Sequence, residues 1–158
     1  MDKRRSKENY YLDMADAAQE RSTCLRRRFG AIIVRDDEIV ATGYNGAPRG
    51  RRNCTDLNYC MRRELNIPAG QRYELCRSVH AEANAIISAS RRDMMGGTLY
   101  LVGRDAVTGE YYHETTPCAM CRRLIINAGI EKVIARTGED EYTVTPVSEW
   151  VANDDSLE

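Results

Sequence analysis

Four side chains, His80, Glu82, Cys118 and Cys121, have the types and spacing for work at a metal ion. His80 and Glu82 lie in the run Val79-His80-Ala81-Glu82-Ala83-Asn84-Ala85-Ile86, and the cysteines lie in Thr116-Pro117-Cys118-Ala119-Met120-Cys121. One histidine and two cysteines supply three zinc ligands and leave a fourth corner open. Structural zinc sites are usually closed by four protein ligands, whereas catalytic ones keep a place for water. Such a site makes water nucleophilic near neutral pH. Glu82 is then an ionisable group beside it, able to carry a proton without being a ligand. Each half also has a plain reading. A Cys-x-x-Cys pair is often a structural zinc knuckle, and His-Ala-Glu is usually ordinary helix. Together, in this order and each opening an expected helix, they point to one catalytic metal site.

These residues need two helix starts brought together. Apolar spacing predicts a helix over residues 79–92, with Ala83, Ile86, Ile87 and Ser90 facing inward, and another over 118–128 that stops at Gly129. Pro117 suits the start of the second. Cys118 and Cys121 then share a face in a first turn, where free N–H groups and partial positive charge favour thiolates. His80 and Glu82, two apart, can serve one site if one of them lies in an irregular first turn. A helix is also expected over 9–25, with Tyr11, Met14, Ala18 and Cys24 near one stripe, and a short one over 147–152. Strands are expected at 30–35 and 38–43, joined by a tight turn at Asp36-Asp37, and at 97–102, 131–135 and 142–146. Residues 105–113 read as turns and 153–158 as a frayed end. The later strands are continuous apolar runs, which suits a sheet covered on both faces. The expected fold is α/β, a three-layer α/β/α sandwich around a mixed sheet of about five strands, with the leading hairpin followed by parallel strands.

Composition narrows the functions. The 158 residues predict a single domain over 1–158, with a Cys/Arg-rich insert at about 47–77. The net charge of -1 argues against nucleic acid as a partner, because that needs a marked basic excess. The bases are 20 Arg against three Lys. Arg presents a planar fork that matches phosphate oxygens, so a phosphorylated ligand is one reading; genomic base composition is the other. No apolar run is long enough to span a membrane, and the charged start Met1-Asp2-Lys3-Arg4-Arg5 is unlike a secretory signal. A cytoplasmic location is expected, where the six cysteines are thiols or metal ligands.

His-x-Glu followed by Pro-Cys-x-x-Cys is the pattern of zinc deaminases acting on nucleobases. The chain resembles the cytidine deaminase superfamily, and closely its deoxycytidylate (dCMP) deaminase branch, including the comE-type late-competence deaminases. The resemblance runs from the first helix to about Ala135. Its markers are the two zinc motifs, Arg21-Ser22-Thr23-Cys24, Gly43-Tyr44-Asn45-Gly46 and Tyr73-Glu74-Leu75-Cys76. It implies zinc-dependent hydrolysis of dCMP to dUMP and ammonia, with Glu82 as the proton carrier. It also implies a homo-oligomer, commonly a hexamer, activated by dCTP with Mg2+ and inhibited by dTTP. Asn45 would then touch the nucleotide sugar, and Gly43, Tyr44, Asn45 and Gly46 would help form the regulatory site; the plain reading of that run is a glycine-rich turn. Arg49, Arg51 and Arg52 would meet effector phosphates or form a solvated loop. Asn84 is a ligand-facing amide or a helix polar group. Tyr142 is a weaker candidate for the substrate phosphate. His113 reads as surface, and Trp150 as core or interface.

Cys24, Cys54, Cys60 and Cys76 are enough for a second, closed zinc site, for which a phage member of the family offers a precedent with Cys and His ligands. Buried free thiols are the alternative. Two other functions compete. A tRNA adenosine deaminase shares the zinc halves but calls for a basic face. A non-catalytic zinc assembly module would have no use for Glu82.

Overall fold

The computed structural model describes residues 3–153, so all but the first residue of the expected frayed end at 153–158 lies outside the described residues. Five strands form one sheet: β1 (Arg27–Arg35), β2 (Glu38–Tyr44), β3 (Thr98–Asp105), β4 (Lys132–Arg136) and β5 (Tyr142–Pro146), in the order β2-β1-β3-β4-β5. The β1–β2 hairpin turns at Asp36 and Asp37, whose φ values of 51° and 62° are the paired left-handed conformations such a turn needs. Tyr11 Oη donates to the Asp37 carboxylate at 2.6 Å, which ties this turn to the first helix.

The apolar runs alternate between two cores. Ala31, Ile33, Leu99, Leu101, Val133 and Ala135 face one core, and Ile32, Val34, Tyr100, Val102 and Ile134 face the other. Helix α1 (Lys7–Gln19) covers the second core, while α4 (Ala81–Ile87), α5 (Arg91–Met94), α6 (Ala119–Ala128) and α7 (Val147–Ala152) lie on the first. The expected three layers are therefore present. The insert adds two short helices, α2 (Cys54–Leu57) and α3 (Met61–Glu64), and a 3-10 turn at Tyr73–Leu75. Among the described residues no helix is long and apolar enough to cross a membrane.

Five expectations need correction. Only β3 and β4 are parallel; β5 runs antiparallel to β4, because the link between them is too short for a crossover of about a dozen residues. Helix α1 stops at Gln19, not residue 25, since Thr23 N–H pairs with the Asn45 carbonyl and Ser22 Oγ with the Asn45 side chain. Its buried face is Tyr11, Leu12, Ala15 and Gln19, rather than the stripe through Met14, Ala18 and Cys24. The helix expected over 79–92 is two helices. Ser88 Oγ bonds back to the Asn84 carbonyl, and Ser90 accepts from Asp93 N–H to cap α5. Ile87, expected inside, is 70% exposed.

Beside the second core lies a partly buried ion-pair network. Arg136, 1% exposed, donates to Asp13 at 2.9 Å and Asp16 at 3.5 Å; Arg104 holds Asp16 at 2.7 Å. Burial opposes the charged form of Asp16, but hydrogen bonds from Arg104 and Tyr111 outweigh it and keep the carboxyl below its usual range. A folded pKa below the unfolded one stabilises the fold above the unfolded value. That contribution is complete above about pH 5 and is lost as pH falls through 4 and lower. Asp16→Asn should cost about 3 kcal/mol, because it leaves a buried guanidinium short of a partner. In thermal unfolding at pH 7 this should appear as a drop of about 6–12 °C, narrowing in acid.

Candidate active site

Each putting-together step starts from backbone. His80 is the N-cap of α4, with extended φ -70° and ψ 153°, and Cys118 is the N-cap of α6, with φ -68° and ψ 166°. Because His80 is the cap and Glu82 lies in the first turn, both reach one site despite their spacing. Cys121 lies one turn into α6 and is fully buried.

The Gly43-Tyr44-Asn45-Gly46 run is the dock that receives α4. A Cβ on Gly43 would lie 2.3 Å from the Ala81 carbonyl and 2.5 Å from Ala85 N, so only glycine permits this approach. The Tyr44 carbonyl accepts from Asn84 Nδ2 at 2.8 Å. Gly46 pairs with Val79 through N–H···O bonds of 3.2 and 2.7 Å, just ahead of His80. Asn45 Oδ1 accepts from Ser22 Oγ at 2.5 Å and Phe29 N–H at 2.9 Å, and its Nδ2 donates to the Arg27 carbonyl at 2.9 Å. This loop thus positions the chemistry. Asn84 thus ties α4 to the end of β2 through its Nδ2.

The metal-ligating atoms converge. His80 Nδ1 lies 3.5 Å from both Cys118 Sγ and Cys121 Sγ. Bonds of about 2.05 Å to nitrogen and 2.3 Å to sulfur, at tetrahedral angles, separate those atoms by about 3.6 Å, so the donor set fits zinc. Glu82 is outside this ligand group. The thiol hydrogen bond from Cys121 lowers the Cys118 pKa, helped by His80, and the same pairing raises that of Cys121. Two thiols and an imidazole that share protons this way release them when a cation binds. Glu82 is 5% exposed, and burial pushes its carboxyl up.

A pocket of about 130 Å³ opens on the site, lined by His80, Glu82 and Cys118 and by Arg26, Arg27, Phe29, Asn45 and Tyr73. Arg26, Arg27, Arg62 and Tyr73 were not foreseen as site residues. The signal for the first two was the run Arg26-Arg27-Arg28 at the head of a strand. Tyr73 stood in the marker run Tyr73-Glu74-Leu75-Cys76 with no role attached to it, and Arg62, in the insert, had no signal. Tyr142 is on β5, packed beside the second core, and is not among the pocket's lining residues. Arg49, Arg51 and Arg52 are exposed and do not line it either. His113 is exposed, as expected, and Trp150 packs partly buried against the first core.

Cys24, Cys54, Cys60 and Cys76 all line one adjoining pocket and none forms a disulfide. No three of them close to mutual ligand distance; the group that does so among the described residues is His80, Cys118 and Cys121, with all ligand atoms within 4.8 Å.

Residues 5–137 match the family described as cytidine and deoxycytidylate deaminase zinc-binding region. The chain belongs to this deaminase family. A deoxycytidylate deaminase of Mycobacterium phage D29 is 40% identical over 132 residues, covering 80% of this chain and 91% of the phage protein. A deoxycytidylate deaminase of Schizosaccharomyces pombe is 37% identical over 134 residues, 85% of this chain, but the match spans only 38% of the yeast protein. The crystal structure of dCMP deaminase from the cyanophage S-TIM5 in complex with dCMP and dUMP superposes with a TM-score of 0.57 at 26% identity, covering 82% of this chain and 79% of that one. The deaminase family binds zinc, in agreement with the donor set found here.

Proposed function

We propose that the chain is one deaminase domain that hydrolyses dCMP to dUMP and ammonia, with His80, Cys118 and Cys121 holding zinc and Glu82 as the catalytic acid and base. The observation that carries this reading is a three-ligand site with a buried carboxylate beside it, in a pocket whose wall holds Arg26 and Arg27. Bound zinc supplies the Lewis acidity that makes water a nucleophile near neutral pH. Glu82 takes the proton from the attacking water and delivers it to N3 of the cytosine ring. It then takes the remaining proton from the new C4 hydroxyl and passes it to the amino group, which leaves as ammonia while the oxygen stays on C4 as the carbonyl. Burial raises the carboxyl's pKa, which suits it to hold each proton between taking it and delivering it. Phe29 and Tyr73 give the base an aromatic wall.

Arg26 and Arg27 suit the 5′-phosphate: both line the pocket, and neither forms a salt bridge with a carboxylate among the described residues. Arg27→Met should raise KM for dCMP by about 10- to 100-fold while leaving kcat within a few-fold, the value of one charged hydrogen bond. Steady-state kinetics with dCMP and with deoxycytidine checks this, since the nucleoside should be indifferent to the change. The reading itself is tested by following ammonia release with dCMP, deoxycytidine and an anticodon stem-loop. Turnover of dCMP supports it. Turnover of the stem-loop alone supports the tRNA reading, and inertness toward all three supports an assembly module.

The thiol-lined pocket we read as a second, structural zinc site on Cys24, Cys54, Cys60 and Cys76. Burial raises the pKa of Cys54, and the neighbouring Cys24, Cys76 and Cys60 raise it further, a repulsion between thiolates that a dication would relieve. Metal analysis should find about two zinc per chain, falling to about one in Cys54→Ser. A wild-type value of one removes the site. Effector binding by dCTP with Mg2+ or by dTTP we assign to the Gly43-Tyr44-Asn45-Gly46 loop together with the exposed Arg49, Arg51 and Arg52 that follow it. A homo-oligomer, hexameric in the favoured form, and a reducing cytoplasmic location complete the reading; the six free thiols suit the latter.

A further inference from the structure

The His80 imidazole meets both thiols through Nδ1. A metal-binding imidazole usually donates its second N–H to a carboxylate or carbonyl, which fixes the ring's rotation and tautomer. Among the described residues the Nδ1 contacts are the only hydrogen bonds of this ring. Something else must set its orientation. The Tyr73 ring stands edge-on to it, with centroids 4.9 Å apart and planes at 84°.

Tyr73 is itself held. The Arg62 guanidinium lies 4.4 Å over its ring centroid. Arg62 is only 8% exposed, and its Nε and Nη2 donate to the Gln71 and Pro68 carbonyls at 3.1 and 2.9 Å. Gly70 N–H donates to Tyr73 Oη at 3.1 Å. A buried guanidinium is costly unless its donors are used. Here two carbonyls and a ring face use them, so the turn before Tyr73 cannot move independently of Arg62. Arg62 and Tyr73 both come from the insert, and His80 from the head of α4.

We propose that Tyr73 is a positioning residue for the metal-binding imidazole, and that Arg62 is the strut that fixes Tyr73 against it. The insert thereby shapes the metal site without lending it a ligand. The aromatic edge replaces the usual hydrogen bond. It blocks ring rotation by contact and excludes water from that flank. The planar fork of Arg62 is needed because only it can donate to two carbonyls while lying flat on a ring.

This inference rests on zinc being held by His80, Cys118 and Cys121, but not on the identity of the substrate, and its test does not use turnover. The chain has two histidines, so 15N-histidine labelling gives a spectrum of two residues, assigned with His113→Gln. A chelator titration is followed through the His80 Nδ1 resonance, which reports this metal site and no other. Tyr73→Leu should lose metal at about 10- to 100-fold lower chelator than the wild type, the usual effect of removing an orienting neighbour. It should also broaden or split the His80 signal. Tyr73→Phe, which keeps the ring, should stay within about threefold of wild type, and Arg62→Lys should fall between Tyr73→Phe and Tyr73→Leu. A wild-type midpoint with one sharp His80 signal in Tyr73→Leu overturns the proposal, as does a Tyr73→Phe variant as weak as Tyr73→Leu. If Tyr73→Leu does not fold, Arg62→Lys decides alone: a weakened His80 site with unchanged zinc at the thiol-lined pocket supports the proposal, and an unchanged midpoint overturns it.

Discussion

Glu82→Gln is expected to keep its zinc and lose turnover of dCMP by about 10³-fold or more in kcat, near the upper range of what a positioned acid and base contributes. That corresponds to about 4 kcal/mol or more of transition-state stabilisation. The amide has the size and shape of the carboxyl, so the pocket is not reshaped. It can accept a hydrogen bond from water but cannot take the proton, and both transfers at N3 and at the amino group fail together. Zinc content should be unchanged, because Glu82 is outside the ligand group. The melting temperature should hold or rise, since a 5%-exposed ionisable group has been replaced by a neutral one. Zinc analysis and kinetics on one preparation check all three. A variant with near-normal rate would refute the proton-carrier role.

The second large effect follows from Cys121. This side chain is fully buried and lies 3.5 Å from His80 Nδ1. Cys121→Ala removes one of three ligands, and the two that remain, on different helices, cannot hold the ion at ordinary free zinc. Zinc at the His80 site should be lost and turnover should fall below detection. Thermal unfolding should show a second sign. Wild-type protein gains stability as free zinc rises, because the ion binds the folded state, and the part of that gain owed to this site should vanish in Cys121→Ala. Metal analysis together with a zinc-dependent melting series checks it. Full zinc occupancy in Cys121→Ala would show that the ligand set is wrong.

The metal site was legible because every part of it is local. Pro117 marks one helix start, Gly129 its end, and the His-x-Glu spacing makes sense once His80 is a cap rather than a helical residue. The three layers were legible because the apolar runs in β1, β3 and β4 are continuous, which only a sheet covered on both faces requires. What escaped notice depends on partners distant in the chain. Helix α1 ends early because Asn45, in the loop after β2, takes the backbone that would have continued it. The Gly43–Gly46 run carries no mark of the helix that packs on it, so its docking role emerges only when Ala81 and Ala85 are seen against Gly43. Arg62 and Tyr73 reach His80 from an insert with little periodicity of its own. The direction of β5 escaped notice because it is decided by the length of its link to β4, not by the composition of the strand.

The most direct test of the whole account is to incubate zinc-loaded protein with dCMP in 18O-enriched water and analyse the nucleotide by mass spectrometry. The site described here predicts dUMP that carries one solvent-derived oxygen at C4, with ammonia released in equal amount. Unchanged dCMP at full zinc occupancy, or dUMP without the label, would contradict it.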